Sequence, residues 1–107
     1  YEAVYYDVRQ VKYLEGDNHD ICAIIGGYVL DIVERKSKKG KFCIITLESN
    51  YEFINVIVFS ELYSEYEEFL QSSKGNLLLV DGYIQWDKWK EEYCLMTNLN
   101  TSFTVLS

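Results

Sequence analysis

Three apolar runs in the middle of the chain have the lengths and alternation of β-strands. The first, residues 21–33, is long for one strand and contains Gly26-Gly27, which predicts a bend or bulge in mid-strand. The second and third, residues 41–48 and 51–59, place apolar side chains at every other position around the polar turn Ser49-Asn50. This region therefore predicts a bent strand followed by a β-hairpin.

The hydrophobic period changes from two to that of a helix after the third run. Ser60 is a suitable N-cap, and the acidic Glu61 follows it, as the helix dipole favours. A helical stripe is then formed by Leu62, Tyr66, Phe69 and Leu70. Gly75 is suited to the C-terminal cap. The pattern predicts one helix that directly follows the third strand.

Two further strands are predicted at residues 76–86 and 92–99, and residues 98–107 read as a tail. The order of three strands, a helix and two strands predicts an all-β fold, the five-stranded Greek-key OB-fold barrel with one α-helix between strands 3 and 4. We assign residues 21–107 to this OB-fold domain and residues 1–20 to an N-terminal extension or linker. Within that extension, residues 1–14 fit a short helix or a strand packed on the domain.

Composition agrees with a single globular domain of 107 residues, in which 49% of residues are hydrophobic and 25% charged. No apolar run approaches the length of a membrane span, and the chain opens without a signal peptide, so we expect a cytoplasmic protein. Cys22, Cys43 and Cys94 lie inside apolar runs with no C-x-x-C pair, which predicts reduced core thiols. We expect no metal, no cofactor and no catalytic residue, because no base–nucleophile pair or phosphate-binding glycine loop is present.

The formal net charge of −7 argues against generic nucleic-acid binding, but the basic residues are unevenly distributed. Residues 34–41, predicted as the loop after strand one, hold Arg35, Lys36, Lys38, Lys39 and Lys41, and the loop after strand four holds Lys88 and Lys90. In an OB fold these two loops flank one groove. The charge pattern therefore predicts a positive groove rim on an acidic body, although a solvated hairpin turn is the simpler alternative for the first loop.

Aromatic residues near the same loops are candidates for stacking on unpaired bases. These candidates are Phe42, Tyr83, Trp86 and Trp89. Phe42 and Tyr83 fall on the alternation face opposite the apolar one, and the two tryptophans belong to an otherwise charged turn. Packing at the barrel end or within a hairpin is the alternative role for each of them.

With these elements placed, several short motifs occur at the spacing of a known family. They are Gly27, Ser-Lys-Lys-Gly-Lys at 37–41, Thr-Leu-Glu at 46–48, Val-Ile-Val-Phe at 56–59, the helical Tyr63, Tyr66 and Leu70, and Leu-Val-Asp-Gly at 79–82. The pattern resembles the OB-fold, tRNA-anticodon-type nucleic-acid-binding domain of the bacterial DNA polymerase III alpha subunit family. The resemblance implies binding of single-stranded template DNA beside a polymerase whose catalytic carboxylates lie outside this domain.

Three functions follow from these observations. The first is a non-catalytic module that binds single-stranded DNA, as part of a bacterial replicative polymerase with other replisome or polymerase domains as partners. The second is an RNA-binding OB domain, which is less favoured because Ile44 stands near the position where anticodon-binding domains use an aromatic residue. The third is a protein-interaction OB domain, which the net charge and the tyrosine-rich residues 1–14 favour. None of the three involves a membrane.

Overall fold

A computed structural model describes the backbone of Val4–Tyr6 and residues 21–106 in full. The described residues form β1 (Val4–Tyr6), β2 (Ile21–Ser37), β3 (Gly40–Ser49), β4 (Glu52–Val58), α1 (Ser60–Gln71), β5 (Leu77–Asp87), β6 (Glu92–Met96) and β7 (Phe103–Leu106). Strands β2 to β6 and the helix occur in the predicted order. The predicted OB-fold barrel, with a helix between its third and fourth strands, is confirmed.

The bend of β2 allows one strand to serve both sides of the barrel. Residues 21–28 of β2 pair with β5, whereas the strand from Tyr28 onward pairs with β3. Gly27 lies at this change of partner, where an added Cβ would sit 3.0 Å from the backbone oxygen of Glu48. A register shift between Val29 and Asp31 follows two residues after the glycines at which the bend or bulge was predicted.

The barrel closes through one parallel strand pair, and its other strand pairs are antiparallel. β3 pairs with β4, β4 with β6 in parallel, β6 with β5, and β5 returns to β2. Two short strands extend this sheet: β1 runs parallel to β2, and β7 runs antiparallel to β5. The interpretation of residues 98–107 as a tail was therefore wrong, because residues 103–106 complete a ladder along the open edge of β5. Of the two alternatives for the N-terminal segment, residues 4–6 form a strand.

The barrel interior is built from the alternating apolar positions that the sequence predicted. β3 contributes Cys43, Ile45 and Leu47, and β4 contributes Ile54, Val56 and Val58, all at most 3% exposed. Phe42, Ile44 and Thr46 alternate with the β3 set and are half-buried on the outer face. The inward and outward assignment of these strands is therefore confirmed.

α1 differs from its prediction at its start and in the residues that it buries. Phe59 is the N-cap residue and gives no side-chain cap, whereas Ser60 is already helical and donates its hydroxyl to the backbone oxygen of Gly40, at 3.2 Å. The buried residues of the helix are Leu62, Tyr63 and Leu70. Tyr66 and Phe69, predicted for the apolar stripe, are half-buried and exposed respectively, and Tyr66 packs edge-on against Phe103 in β7.

The three cysteines are free thiols, with Cys43 and Cys94 buried and Cys22 half-buried. No group of three or more metal-ligating side chains occurs among the described residues. Within the same residues, no helix has the length and apolar character needed to cross a membrane.

Candidate nucleic-acid interface

The basic segment at residues 34–41 is a hairpin extension of the barrel and not a loop. β2 continues to Ser37 and β3 begins at Gly40, so that only Lys38 and Lys39 form the turn. Gly40 adopts a φ of 116°, and the Ser37 hydroxyl accepts the Lys39 N–H while donating to the Gly40 oxygen. The prediction was wrong because a two-stranded ribbon exposed on both faces needs no apolar alternation, and that alternation was the signal used to recognise strands.

The alternation of side chains along the two strands places the five basic residues of this hairpin on different faces. Arg35 pairs with Phe42 and therefore lies on the outer face of the barrel, whereas Lys36 pairs with Lys41 on the opposite face. Lys41 shares its face with the buried Cys43, two residues further along β3. The turn lysines stand at the end of the ribbon, between the two faces.

Lys41 is held against the helix and away from the outer face. Its Nζ donates to the Glu67 carboxylate at 2.9 Å and lies 3.9 Å from Glu34, and these acids raise the pKa of Lys41. The hydroxyl of Tyr63 donates to Glu34 at 2.5 Å and thereby lowers the pKa of that carboxyl. Burial, together with this bond, raises the pKa of Tyr63 to about 12, and Gln71 donates its amide to the same hydroxyl. This network ties the hairpin to α1.

A row of half-buried side chains crosses the outer face of the barrel from strand to strand. The pairings run from Ile44 to Ile57, then to Met96, to Tyr83 and finally to Cys22. Directly paired residues in neighbouring strands point to the same face. The outer face thus presents a continuous row of half-buried side chains that includes the predicted site residue Tyr83.

Along one side of this row lies a cleft of about 680 Å³, which we call the hairpin cleft. It opens between the turn of the β2–β3 hairpin, the start of α1 and residues 97–99. Its lining is Ser37, Lys38, Lys39, Phe42, Phe59, Ser60, Glu61, Leu62, Tyr83, Thr97, Asn98 and Leu99. The cleft brings together four predicted site residues, namely two lysines, Phe42 and Tyr83.

Two exposed apolar residues of the hairpin cleft were missing from the prediction. Phe59 is 46% exposed and Leu99 is 62% exposed. Phe59 could have been found, since it continues the outward alternation of Phe53, Asn55 and Ile57 along the third strand. Leu99 carried no such signal, because residues 97–99 were predicted as strand, whereas β6 ends at Met96.

Along the opposite side of the row lies a second depression of about 470 Å³, which we call the tryptophan groove. It is lined by Ile57, Gln85, Trp86, Asp87, Lys88, Trp89, Cys94 and Met96. Trp89 is 97% exposed, whereas Trp86 is half-buried and packs edge-on against Tyr93 with ring centroids 4.9 Å apart. The Asp87 carboxylate accepts the backbone N–H groups of Trp89 and Lys90, at 2.9 and 3.1 Å, and so shapes the turn.

The hairpin cleft and the tryptophan groove adjoin one another on three strands. Ile57, Gln85 and Met96 line the tryptophan groove. Phe59, Tyr83 and Thr97 lie one or two residues away along the same three segments and line the hairpin cleft. One surface therefore runs from the Lys38-Lys39 turn to the turn at Trp89. Arg35 borders this surface because it pairs with Phe42. Lys90 is exposed in the second turn but does not line the tryptophan groove. Lys36 and Lys41 lie on the other face of the hairpin.

Solved structures of similar fold match this chain at low sequence identity. RecG bound to a three-way DNA junction matches with a TM-score of 0.72 and 14% identity, over 99% of this chain and 13% of that chain. The replication factor A related protein of Methanobacterium thermoautotrophicum matches at 0.64 and 15%, over 91% and 88%. The Stn1–Ten1 complex of S. pombe matches at 0.59 and 21%, over 79% and 57%. The chain has the OB fold.

No family model and no curated protein matches the sequence. The chain spans 13% of the length of the RecG chain and 57% of the Stn1–Ten1 chain that it matches. At these identities the likeness establishes the fold, and the comparisons give no support for the DNA polymerase III alpha family specifically.

Proposed function

We propose that this chain is a non-catalytic OB module that binds single-stranded DNA on the surface between its two hairpins. The observation that carries the proposal is the continuity of that surface, which joins the hairpin cleft to the tryptophan groove. Similar folds in RecG bound to a DNA junction and in a replication factor A related protein support a DNA ligand.

The chemistry of the surface fits an unpaired strand better than a duplex. Unpaired bases need flat apolar partners, which Trp89, Phe42 and Tyr83 offer on the outer face. Phosphates need cations, which the lysines at the two turns provide. The rest of the protein is acidic, since the net charge is −7 even with these lysines included, so that a nucleic acid is repelled from other faces.

The test is a titration of fluorescein-labelled oligo-dT, followed by anisotropy at two salt concentrations. We expect Trp89→Ala to weaken binding about 5- to 150-fold, because one stacked base contributes roughly 1–3 kcal/mol. Tyr51→Ala is the matched control, because Tyr51 is also an exposed aromatic residue, at 91%, in a turn outside the surface. The absence of oligo-dT binding at low salt, or equal losses in both variants, would contradict the proposal.

RNA as the ligand is the second candidate, and the same assay separates it from DNA. Matched oligo-dU and oligo-rU differ chiefly in the 2′-hydroxyl, so tighter binding of oligo-rU would favour the RNA-binding function. Ile44 contributes an aliphatic surface where a base-stacking aromatic would favour RNA, so we expect oligo-dU to bind at least equally well. A chain that binds neither oligonucleotide would instead fit a protein-interaction domain.

Membership of the DNA polymerase III alpha subunit family, with other polymerase domains as partners, stays a prediction. So do the cytoplasmic location and the division into residues 1–20 and 21–107. The parallel pairing of Val4–Tyr6 with β2 shows that part of the first segment contacts the barrel. Deleting residues 1–20 and measuring the urea midpoint would test whether residues 21–107 fold alone.

A further inference from the structure

We propose that the hairpin cleft binds a single unpaired nucleobase, and that it is a separate binding site from the open tryptophan groove. The inference rests on the proposed function, because it concerns how one nucleotide of the bound strand is held. It joins the predicted residues of the hairpin cleft with Phe59 and Leu99, which the sequence did not predict, in one binding site.

The size and walls of the hairpin cleft suit one enclosed nucleotide. Its volume of about 680 Å³ lies within the range of about 300–1,000 Å³ typical of small-molecule sites. Phe42 from β3, Phe59 before α1 and Leu99 after β6 form apolar surface from three different segments. A base placed among them would contact apolar side chains on more than one side, which stacking on a single ring does not achieve.

The polar groups of the cleft complement a nucleotide. The Ser37 and Thr97 hydroxyls already donate to the backbone oxygens of Gly40 and Ile57. Asn98 accepts the N–H of Asn100 through its Oδ1, at 2.8 Å, so its amide nitrogen is the group that it can offer to an acceptor on a base edge. The two turn lysines stand at the rim, where they can meet the phosphate.

The tryptophan groove differs in shape and offers a different kind of contact. Trp89 is 97% exposed, so a base can stack on its ring while the other side of the base stays in solvent. Sequence-tolerant stacking is expected there. An enclosed base in the hairpin cleft should instead be recognisable on its own, without the rest of the strand.

The test uses thymidine 5′-monophosphate with the intact chain, followed by amide shifts in ¹H–¹⁵N spectra. We expect saturable shifts at Leu62, Asn98 and Leu99. Leu99→Asp should weaken binding by about tenfold or more, because it replaces apolar wall by charge. Leu106→Asp is the matched control, since Leu106 is an exposed leucine in β7 outside the cleft, at 42% exposure, and this variant should bind as the wild type does.

Three results would overturn the inference. In the first, oligo-dT binds, but the mononucleotide shifts only the amides of residues 86–90 or shifts none. That result would leave the proposed function intact. Another is that 2-deoxyribose 5-phosphate produces the same shifts, because the cleft would then hold a phosphate alone. The third is that Leu106→Asp weakens binding as much as Leu99→Asp. Failure of both oligo-dT and the mononucleotide would instead reject the proposed function, and the inference with it.

Discussion

Two double variants with the same loss of charge can separate the faces of the β2–β3 hairpin. Lys38→Ala/Lys39→Ala removes the cations that line the hairpin cleft. Lys36→Ala/Lys41→Ala removes two cations within three residues of the turn that lie on the opposite face, where Lys41 contacts Glu67. Both variants change the net charge by the same amount, so a difference between them reports position and not total charge.

The expected loss follows from the salt dependence of single-strand binding. Each phosphate contact contributes about 0.7 to the slope of the logarithm of affinity against the logarithm of salt concentration, so two contacts contribute about 1.4. With other contacts unchanged, the Lys38/Lys39 variant should bind oligo-dT about 70-fold more weakly at ~50 mM salt and about 10-fold more weakly at ~200 mM. The Lys36/Lys41 variant should lose less than about threefold at the higher salt, where charges beyond about 10 Å are screened.

Fluorescence anisotropy over a salt series measures both slopes directly. Thermal melting of each variant must accompany it, because Lys41 connects the hairpin to α1 and its removal could loosen the ribbon. Equal slopes for the two variants would refute the separation of the faces. An unchanged slope in the Lys38/Lys39 variant would refute phosphate binding at the hairpin cleft.

Three further predictions concern the barrel and the network under the hairpin. Gly82→Ala should lower the free energy of unfolding by about 1–3 kcal/mol in urea denaturation, because its Cβ would lie 2.3 Å from the backbone oxygen of Met96; a wild-type midpoint would contradict this. Tyr63→Phe should lower the urea midpoint at neutral pH by removing the hydrogen bond to Glu34. That bond lowers the pKa of Glu34, so its stabilisation is present above the ordinary pKa of the carboxyl and declines as the pH falls through the folded value. The deficit of Tyr63→Phe should therefore shrink as the pH falls below the ordinary pKa of a glutamate carboxyl, and a constant deficit would argue against the ionised pair. Burial raises the pKa of Cys43 to about 12, so iodoacetamide at neutral pH should modify this thiol only after urea unfolds the chain, as mass spectrometry would show.

The barrel strands and the core could be predicted because the signal is local. Alternation along residues 41–48 and 51–59 identifies the inward face, since successive side chains of any strand point to opposite sides. Gly26-Gly27 marked the bend of β2 for a similar reason, because the absence of side chains lets Gly26 approach Leu79 of β5 and Gly27 approach Glu48 of β3. The helix was recognised from its change of period, although its N-cap was displaced by one residue from Ser60 to Phe59.

The candidate site could be predicted only in part. Lys38, Lys39, Phe42 and Tyr83 were named from the sequence and line one cleft, yet the reason for their proximity is the closure of β5 on β2 and β6. Leu99 could not be found, since it is an isolated apolar residue in a loop whose position depends on where β6 ends.

The sequence by itself determined the order of β2 to β6 and the helix, the inward faces of β3 and β4, and the concentration of basic residues near two hairpins. Only the tertiary structure decided which of those residues share a surface. Neighbouring lysines such as Lys39 and Lys41 are separated by strand pleating and by the attraction of Glu67, which is distant in sequence. The short β7 likewise forms because β6 pairs with residues 83–87 of β5 and leaves an edge at residues 77–80, which is set by the strand pairing of the barrel.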